Sequence, residues 1–466
     1  MTVGPGRLDA AAAAEAVRGG VTTARALLDD ARSRAQEVEP ALGAVVTPVE
    51  RLAADASGPL AGVVLGVKDL IAVRGVPRQC GAPHLVDTSP QEADATVVAR
   101  ASASSATVFA TLATHPLAFG IVTPQTNNPA APDRMAGGSS GGAAAAVAAG
   151  FVHVALGTDT GGSVRIPAAC CGVVGLKTTR GLVPLTGVHD LAWSLDTVGP
   201  LAACVADARL LLDVIAGHDP DDPVSEHRPA EPHQAGQRGA AVRPEGLRPE
   251  GLRRAGLRRV GVPVQVRGQR LDPEVRAAWE ATLAGFAADG VEVTDVDLPL
   301  LDRAPTAAGR ILAAEAAAVH RDAFAAHPAS FPADVAPRLA VGVDLDAVTV
   351  ARARRHGTLL RAALREAFQR VDVLCTPTLP CRVPRVGADP VVVDGEPEPL
   401  VKAVTRLTNA WNLAGAPAGS VPAGTDADGA PIGMQLIGPW WGEATVLDAM
   451  ALVERRAART SGPADR

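Results

Sequence analysis

The run Gly157-Thr158-Asp159-Thr160-Gly161-Gly162-Ser163-Val164-Arg165-Ile166-Pro167 decides how this chain reads. The apolar stretch before it, Phe151 to Leu156, predicts a strand that feeds a glycine loop. Thr160, Gly161 and Gly162 bring successive backbone N–H groups beside the Ser163 hydroxyl. That arrangement is what an oxyanion hole next to an attacking serine requires. Asp159 and Arg165 flank the loop with opposite charges; they either brace it as an ion pair or form an exposed pair that contributes little.

A second glycine-framed loop, Gly137-Gly138-Ser139-Ser140-Gly141-Gly142, lies upstream, with Ser139 24 residues before Ser163. Ala143 to Gly150 predicts a helix directly after it, and unpaired N–H groups at such a junction favour anions. Ser139 sits in a literal GxSxG. A nucleophile elbow needs a hydrophobic strand just before it, and Pro129 to Ala136 is a loop sequence, so that reading fits poorly. The alternatives are a flexible turn or a shaped site. Neither loop matches GxGxxG or a P-loop, and Gly172 to Thr178 misses the P-loop spacing.

Further upstream, Lys68 stands inside Val63-Val64-Leu65-Gly66-Val67-Lys68-Asp69-Leu70-Ile71. A charged lysine is costly to bury in such a run. It either snorkels out or pairs with Asp69, or burial disfavours its ammonium and makes it a base. Serine is a poor nucleophile until a base takes its proton. Two serine loops and this lysine are the parts for acyl transfer, with lysine in place of histidine.

Composition bounds the remaining options. The 466 residues are 47% hydrophobic and 20% charged, enough for a sizeable core, and the net charge of −6 leaves no basic footprint for nucleic acid. Tyrosine is absent and aromatics total 3%, so a base-stacking platform is not expected and the core must be aliphatic and alanine-rich. Six cysteines without a CxxC and scattered histidines point to reduced, buried thiols; no metal site is expected. No stretch is apolar and long enough to span a bilayer, and no signal pattern opens the sequence. The expectation is a cytoplasmic protein.

Residues 8 to 36 predict two amphipathic helices joined near Gly19 to Thr23, with Thr22 or Thr23 as a cap. They fall within an expected N-terminal helical segment, 1–55. From Leu60 onward, short aliphatic runs broken by glycine predict buried parallel or mixed strands alternating with helices. Residues 219–259 are rich in Pro, Arg, Gly and Glu, with the tandem pattern Pro244-Glu245-Gly246-Leu247-Arg248 and Pro249-Glu250-Gly251-Leu252-Arg253. They read as a solvated linker or insertion. A strand is expected at Arg259 to Val266, then helices to about Arg370, then returning strands at Val371 to Pro380 and Pro417 to Pro422 that share the early strands' sheet.

Together these residues resemble the amidase signature family of C–N hydrolases. The resemblance rests on Val63 to Leu70, on Gly137 to Gly181, on Ser194 to Pro200, and on Gly415 to Pro422 with Pro431 to Gly438. It spans nearly the whole chain except the linker and implies one domain over 1–466, an α/β fold with a large mixed central β-sheet covered on both faces by helices. It implies a Ser–cisSer–Lys triad: Ser163 as nucleophile, Ser139, preceded by a cis peptide bond, as relay, and Lys68 as base. Thr160, Gly161 and Gly162 would form the oxyanion hole, supported by Ser140, Asp159 and Arg165. No metal or organic cofactor is implied; the substrate would be a small-molecule amide, and the N-terminal helices could support a homodimer.

The chain departs from the family at Ala101 to Ala106, where a leucine-arginine-x-alanine-glycine-alanine pattern is common. It departs again at Ala110 to Ala113, where many members read Gly-Lys-Thr-Asn, and at Pro116-Leu117. The triad positions are unaffected. Amide hydrolysis is the leading expectation. The alternatives are the glutaminase subunit of a tRNA-dependent amidotransferase, to which the 110–117 departures are less suited, and a silent scaffold, which would be expected to lose one of the triad residues. Trp193, Trp411, Trp440 and Trp441 are candidate pocket walls, with core or rim packing as the default.

Overall fold

The computed structural model describes residues 8–227 and 257–460. In chain order the strands are β1 (Val45–Arg51), β2 (Val64–Lys68), β3 (Thr107–Leu112), β4 (Val154–Thr158), β5 (Val174–Lys177), β6 (Val198–Ala202) and β7 (Arg259–Pro263). They continue as β8 (Glu292–Val296), β9 (Val373–Pro377), β10 (Val391–Val393), β11 (Glu396–Glu398), β12 (Ala418–Thr425) and β13 (Pro431–Ile437). Eleven of these build one sheet in the order β1-β3-β2-β4-β6-β5-β12-β13-β9-β7-β8, while β10 and β11 pair separately. The sheet is mixed: β2 runs parallel to β3 and β4, whereas β12 pairs antiparallel with both β5 and β13. The β5–β12 ladder is where the early and late halves of the chain join, as expected from their shared apolar texture.

Both faces of the sheet are buried at its centre, which is why the inner strands lack a polar side. Along β2, Leu65 and Val67 enter one core cluster with the helices Val205–Ile215, Pro273–Ala288 and Glu443–Thr460, while Val64 enters another with Ala24–Leu42 and Gly141–Ala149. Late in the sheet Leu374 alternates with Val373 and Cys375 in the same way, facing the helices Ala304–Val319 and Ala347–Arg370. All six cysteines are free thiols, and five of them are buried. No helix among the described residues is long and apolar enough to cross a membrane.

Several boundaries differ from the sequence reading. Thr23 does cap the second helix, its side chain accepting from the Ala26 N–H, but that helix runs to Leu42 and closes on Gly43 at φ 65°. The segment 1–55 is therefore not all helical: β1 follows, because the β-branched Val45, Val46, Thr47 and Val49 suit an extended edge and pair antiparallel with β3. The strand expected at Arg259 to Val266 stops at Pro263, and a short helical turn, Val264–Arg267, replaces its end. Within the region read as helical, β8 adds an edge strand parallel to β7. The expected 219–259 linker lies mostly on residues 228–256, outside the described residues.

Close packing at the sheet centre makes one glycine testable. A Cβ on Gly199 in β6 would stand 1.9 Å from the Leu176 carbonyl oxygen of β5. Because backbone cannot rotate away, Gly199→Ala is expected to cost about 2–3 kcal/mol. This reads out as a lower urea midpoint at unchanged slope; an unchanged midpoint would contradict the packing.

Candidate active site

The site lies where three segments leave the same edge of the sheet. Lys68 ends β2, Thr158 ends the parallel strand β4, and the Ser139 loop opens the helix Gly141–Ala149. In an open α/β sheet, the ends of neighbouring parallel strands are where loops can converge on a ligand. The Gly138–Ser139 peptide bond is cis. The Ser139 carbonyl accepts from the His115 N–H at 3.1 Å and from Thr123 Oγ1 at 3.3 Å. Thr123 Oγ1 in turn accepts from the Gly141 N–H at 3.0 Å.

Lys68 neither snorkels out nor pairs with Asp69. Its side chain is fully buried, and Nζ donates to Ser139 Oγ at 2.7 Å and to Thr158 Oγ1 at 2.8 Å. The Asp69 carboxylate instead accepts from the Gln79 N–H at 3.2 Å. Burial pushes the Lys68 ammonium down to about 7, against a smaller upward pull from the charges of Asp159 and Asp196. A lysine in that range supplies an amine lone pair near neutral pH.

The second loop carries Ser163 between β4 and the helix Arg165–Cys171. Ser163 is 6% exposed, and its carbonyl accepts from the Ser140 N–H at 3.2 Å, which ties the two serine loops together. Ser140 Oγ donates to the Thr158 carbonyl at 3.2 Å. Gly162, at φ 133°, occupies a backbone conformation that favours glycine. A Cβ there would also meet Thr408 Oγ1 at 2.5 Å.

Asp159 and Arg165 form the loop's foundation. Both side chains are fully buried, 2.8 Å apart, so the weak exposed pair is excluded. Asp159 accepts from the N–H groups of Gly162 (2.8 Å) and Val164 (3.2 Å) and from Asn412 Nδ2 (2.8 Å). Arg165 also donates to the Thr408 carbonyl (2.9 Å), Gln435 Oε1 (2.6 Å) and Asn412 Oδ1 (2.7 Å). Burial alone would raise the Asp159 carboxyl, but the Arg165 guanidinium holds it well below the usual carboxylate range.

The Gly162 N–H, one of the expected oxyanion donors, donates to Asp159 Oδ1 at 2.8 Å. The N–H groups of Thr160, Gly161 and Ser163 make no hydrogen bond among the described residues. Thr160 is held by Asp196, whose Oδ1 accepts from Thr160 Oγ1 at 2.5 Å. The Gly161 carbonyl accepts from Thr408 Oγ1 at 2.6 Å. Burial raises the Asp196 carboxyl to about 7 despite that bond and those from the Leu191 and Ala192 N–H groups.

Beside Thr160 and Gly161 opens a cavity of about 530 Å³. Leu301, Pro305, Ala308 and Leu312 give it an apolar wall, faced by Arg270, Glu398, Lys402 and Arg406. Glu398 lies 3.6 Å from Arg270 and 3.3 Å from Arg406. Asn409, nine-tenths buried, also lines the cavity, and its Oδ1 has no hydrogen-bond partner among the described residues.

Sequence reasoning missed Thr158, Asp196, Thr408, Asn409, Asn412 and Gln435, and a second buried lysine. Lys177 Nζ donates to the Thr178 carbonyl at 2.8 Å, and burial, then the charge of Arg165, pushes it down to about 7. Its place in Val173-Val174-Gly175-Leu176-Lys177 repeats the apolar-run signal that singled out Lys68.

A family model described as Amidase matches residues 17–447. The chain is similar to an amidase of Pseudomonas putida, 38% identical over 438 residues that cover 91% of this chain and 90% of that one. It is also 37% identical to the A-type subunit of the glutamyl-tRNA(Gln) amidotransferase of Halobacterium salinarum, over 86% of this chain and 96% of that one. A solved, inhibitor-bound vestigial complex, described as revealing the evolutionary origins of an s-triazine catabolic enzyme, matches with a TM-score of 0.86 at 29% identity, covering 96% of this chain and 98% of its own. Fold and matches together define an enzyme of the hydrolase class, an amidase. The chain belongs to the amidase family, the amidase signature enzymes.

Proposed function

We propose that the enzyme hydrolyses a carboxamide through an acyl-enzyme on Ser163. The observation that carries this reading is the buried Lys68 Nζ to Ser139 Oγ contact of 2.7 Å, joined to the Ser163 loop through Ser140. Neutral Lys68 accepts the Ser139 proton while Ser139 accepts that of Ser163, whose Oγ adds to the carbonyl carbon. The N–H groups of Thr160, Gly161 and Ser163 are then the donors for the oxyanion. When the C–N bond breaks, the same path returns a proton to the leaving nitrogen. Water, deprotonated by the same relay, cleaves the acyl ester and releases the acid. The acyl group occupies the 530 Å³ cavity, and Asn409 Oδ1 accepts an N–H of the bound amide.

The test is an amide-library screen read by ammonia release and acid product, with Ser163→Ala as the blank. Turnover that survives undiminished in that variant sinks the reading. The same mechanism fixes the sign of the pH dependence. Lys68 must be neutral to act as base, so kcat/KM should rise about tenfold per pH unit up to about 7 and level off above it. A profile flat from pH 5 to 8 (a range of about three units) would remove Lys68 from the base's role.

A second reading is favoured by the similarity to the amidotransferase. In that case glutamine is the amide, and ammonia release depends on partner subunits. Glutaminase assays of the purified chain, alone and with candidate partners, separate the two: full activity on simple amides without a partner supports the free-standing amidase.

A further inference from the structure

A second cavity, of about 370 Å³, is lined by Arg180, Arg361, Arg365, Trp440 and Trp441, with Glu226 at its rim. It is separate from the cavity beside Thr160 and Gly161. The helix Asn409–Ala414 lies between them: Asn409 lines the first, and Ala414 with Gly415 lines the second.

The charge in this cavity is unbalanced. Among the described residues no carboxylate lies within 4 Å of any of the three guanidiniums, although arginines elsewhere in the structure are commonly paired. Among the described residues Arg361 donates only to the Leu413 carbonyl (3.4 Å) and Thr358 Oγ1 (3.1 Å). Burial, then the charges of Arg180 and Arg365, lower its guanidinium from the ordinary value, and all three line the same cavity. Facing them are Glu226 at the rim and, behind the wall, Glu443, whose Oε1 accepts the Thr179 N–H at 2.7 Å. Three guanidiniums against the rim carboxylate leave about two positive charges facing the space.

The aromatic wall is fixed in place. Trp440 Nε1 donates to the Ala414 carbonyl at 3.0 Å, and Phe368 meets the ring edge-on at 6.4 Å. The Arg365 guanidinium lies over the same ring, 5.4 Å from its centroid. Trp441 stands at φ 66°, a conformation that is a genuine outlier for a bulky side chain and that collects at ligand clamps. Its N–H donates to Thr179 Oγ1 at 2.9 Å.

We propose that this cavity is a binding site for a small planar organic dianion, its ring against the tryptophans and its acidic groups on Arg180, Arg361 and Arg365. Guanidinium forks suit carboxylate or phosphate oxygens, and they stack on aromatic rings. The volume suits a small molecule. The site is independent of the acyl-enzyme reading, since none of its residues belongs to the proposed machinery.

The test is tryptophan fluorescence and calorimetry on the full chain, titrated with isophthalate, with benzoate, with inorganic phosphate and with benzyl alcohol. Expected is saturable 1:1 binding of isophthalate, about tenfold or more weaker binding of benzoate, and none of benzyl alcohol. Phosphate that displaces isophthalate assigns the affinity to the arginines. Both Arg361→Gln/Arg365→Gln and, separately, Arg180→Gln should weaken isophthalate binding about tenfold or more, with amide hydrolysis within about twofold of wild type. Arg365 is exposed and the other two are partly so, which allows these variants to fold. Absence of saturation up to about 10 mM isophthalate, or equal binding by both variants, overturns the proposal.

Discussion

Replacing Ser163 by alanine is expected to lower kcat for amide hydrolysis by about a millionfold, the loss seen when a nucleophile that works as one unit with its base is removed. The residue's structural connections run through its backbone: its carbonyl accepts the Ser140 N–H, and its own N–H makes no hydrogen bond among the described residues. Alanine keeps both, so substrate should still bind in the cavity with KM changed by no more than about threefold. Ser139→Ala should cost nearly as much, and the double variant little more, because either change breaks the same path to Lys68. Stopped-flow and steady-state assays at pH 8 (about one unit above the Lys68 transition) measure all three. A Ser163→Ala enzyme within about a hundredfold of wild type would place the nucleophile elsewhere.

Local chemistry marked the residues proposed as the triad, while their roles came from the family resemblance. Glycines frame both serines, and Lys68 interrupts an apolar run. The sheet was legible in the same way, since strands buried on both faces read as continuous Val, Leu and Ala. What escaped is whatever depends on distance along the chain. Asn412, which donates to Asp159, lies 253 residues beyond it, and Gln435, which accepts from Arg165, lies 270 residues beyond. Asn412 interrupts the apolar run Ala410 to Ala414, but nothing near it in sequence names Asp159 as its partner. Asp196 looked like part of a matching segment, but its bond to Thr160 Oγ1 exists only because β6 brings residue 197 beside β4, where the Thr197 carbonyl accepts the Asp159 N–H at 2.8 Å. The edges were hardest. Apart from the buried Val296, β1 and β8 carry intermediate or exposed side chains, so neither shows the apolar run that betrays an inner strand.

The same long-range connections make the Asp159–Arg165 pair the most fragile point of the site. Asp159→Asn is expected to lower stability by about 3–5 kcal/mol, because it leaves the Arg165 charge fully buried without its counter-ion. The asparagine can still accept the Gly162 N–H, so the loss reflects charge more than loop hydrogen bonding. Arg165→Leu should be similarly costly, whereas the double variant Asp159→Asn/Arg165→Leu should recover part of the loss, since a buried pair gains little over an apolar replacement. The pair is no source of instability in mild acid. The Asp159 carboxyl is held below its ordinary 3.8, so its contribution is complete above that value and is lost only as pH falls through the much lower folded-state value. Guanidinium titrations of the four proteins measure the cycle at pH 7 (about three units above the carboxylate's ordinary range). If Asp159→Asn shifted the midpoint by less than about 1 kcal/mol equivalent, Arg165 would have to be neutralised by other groups, and its bonds to Gln435, Asn412 and the Thr408 carbonyl would become the frame that shapes the Ser163 loop.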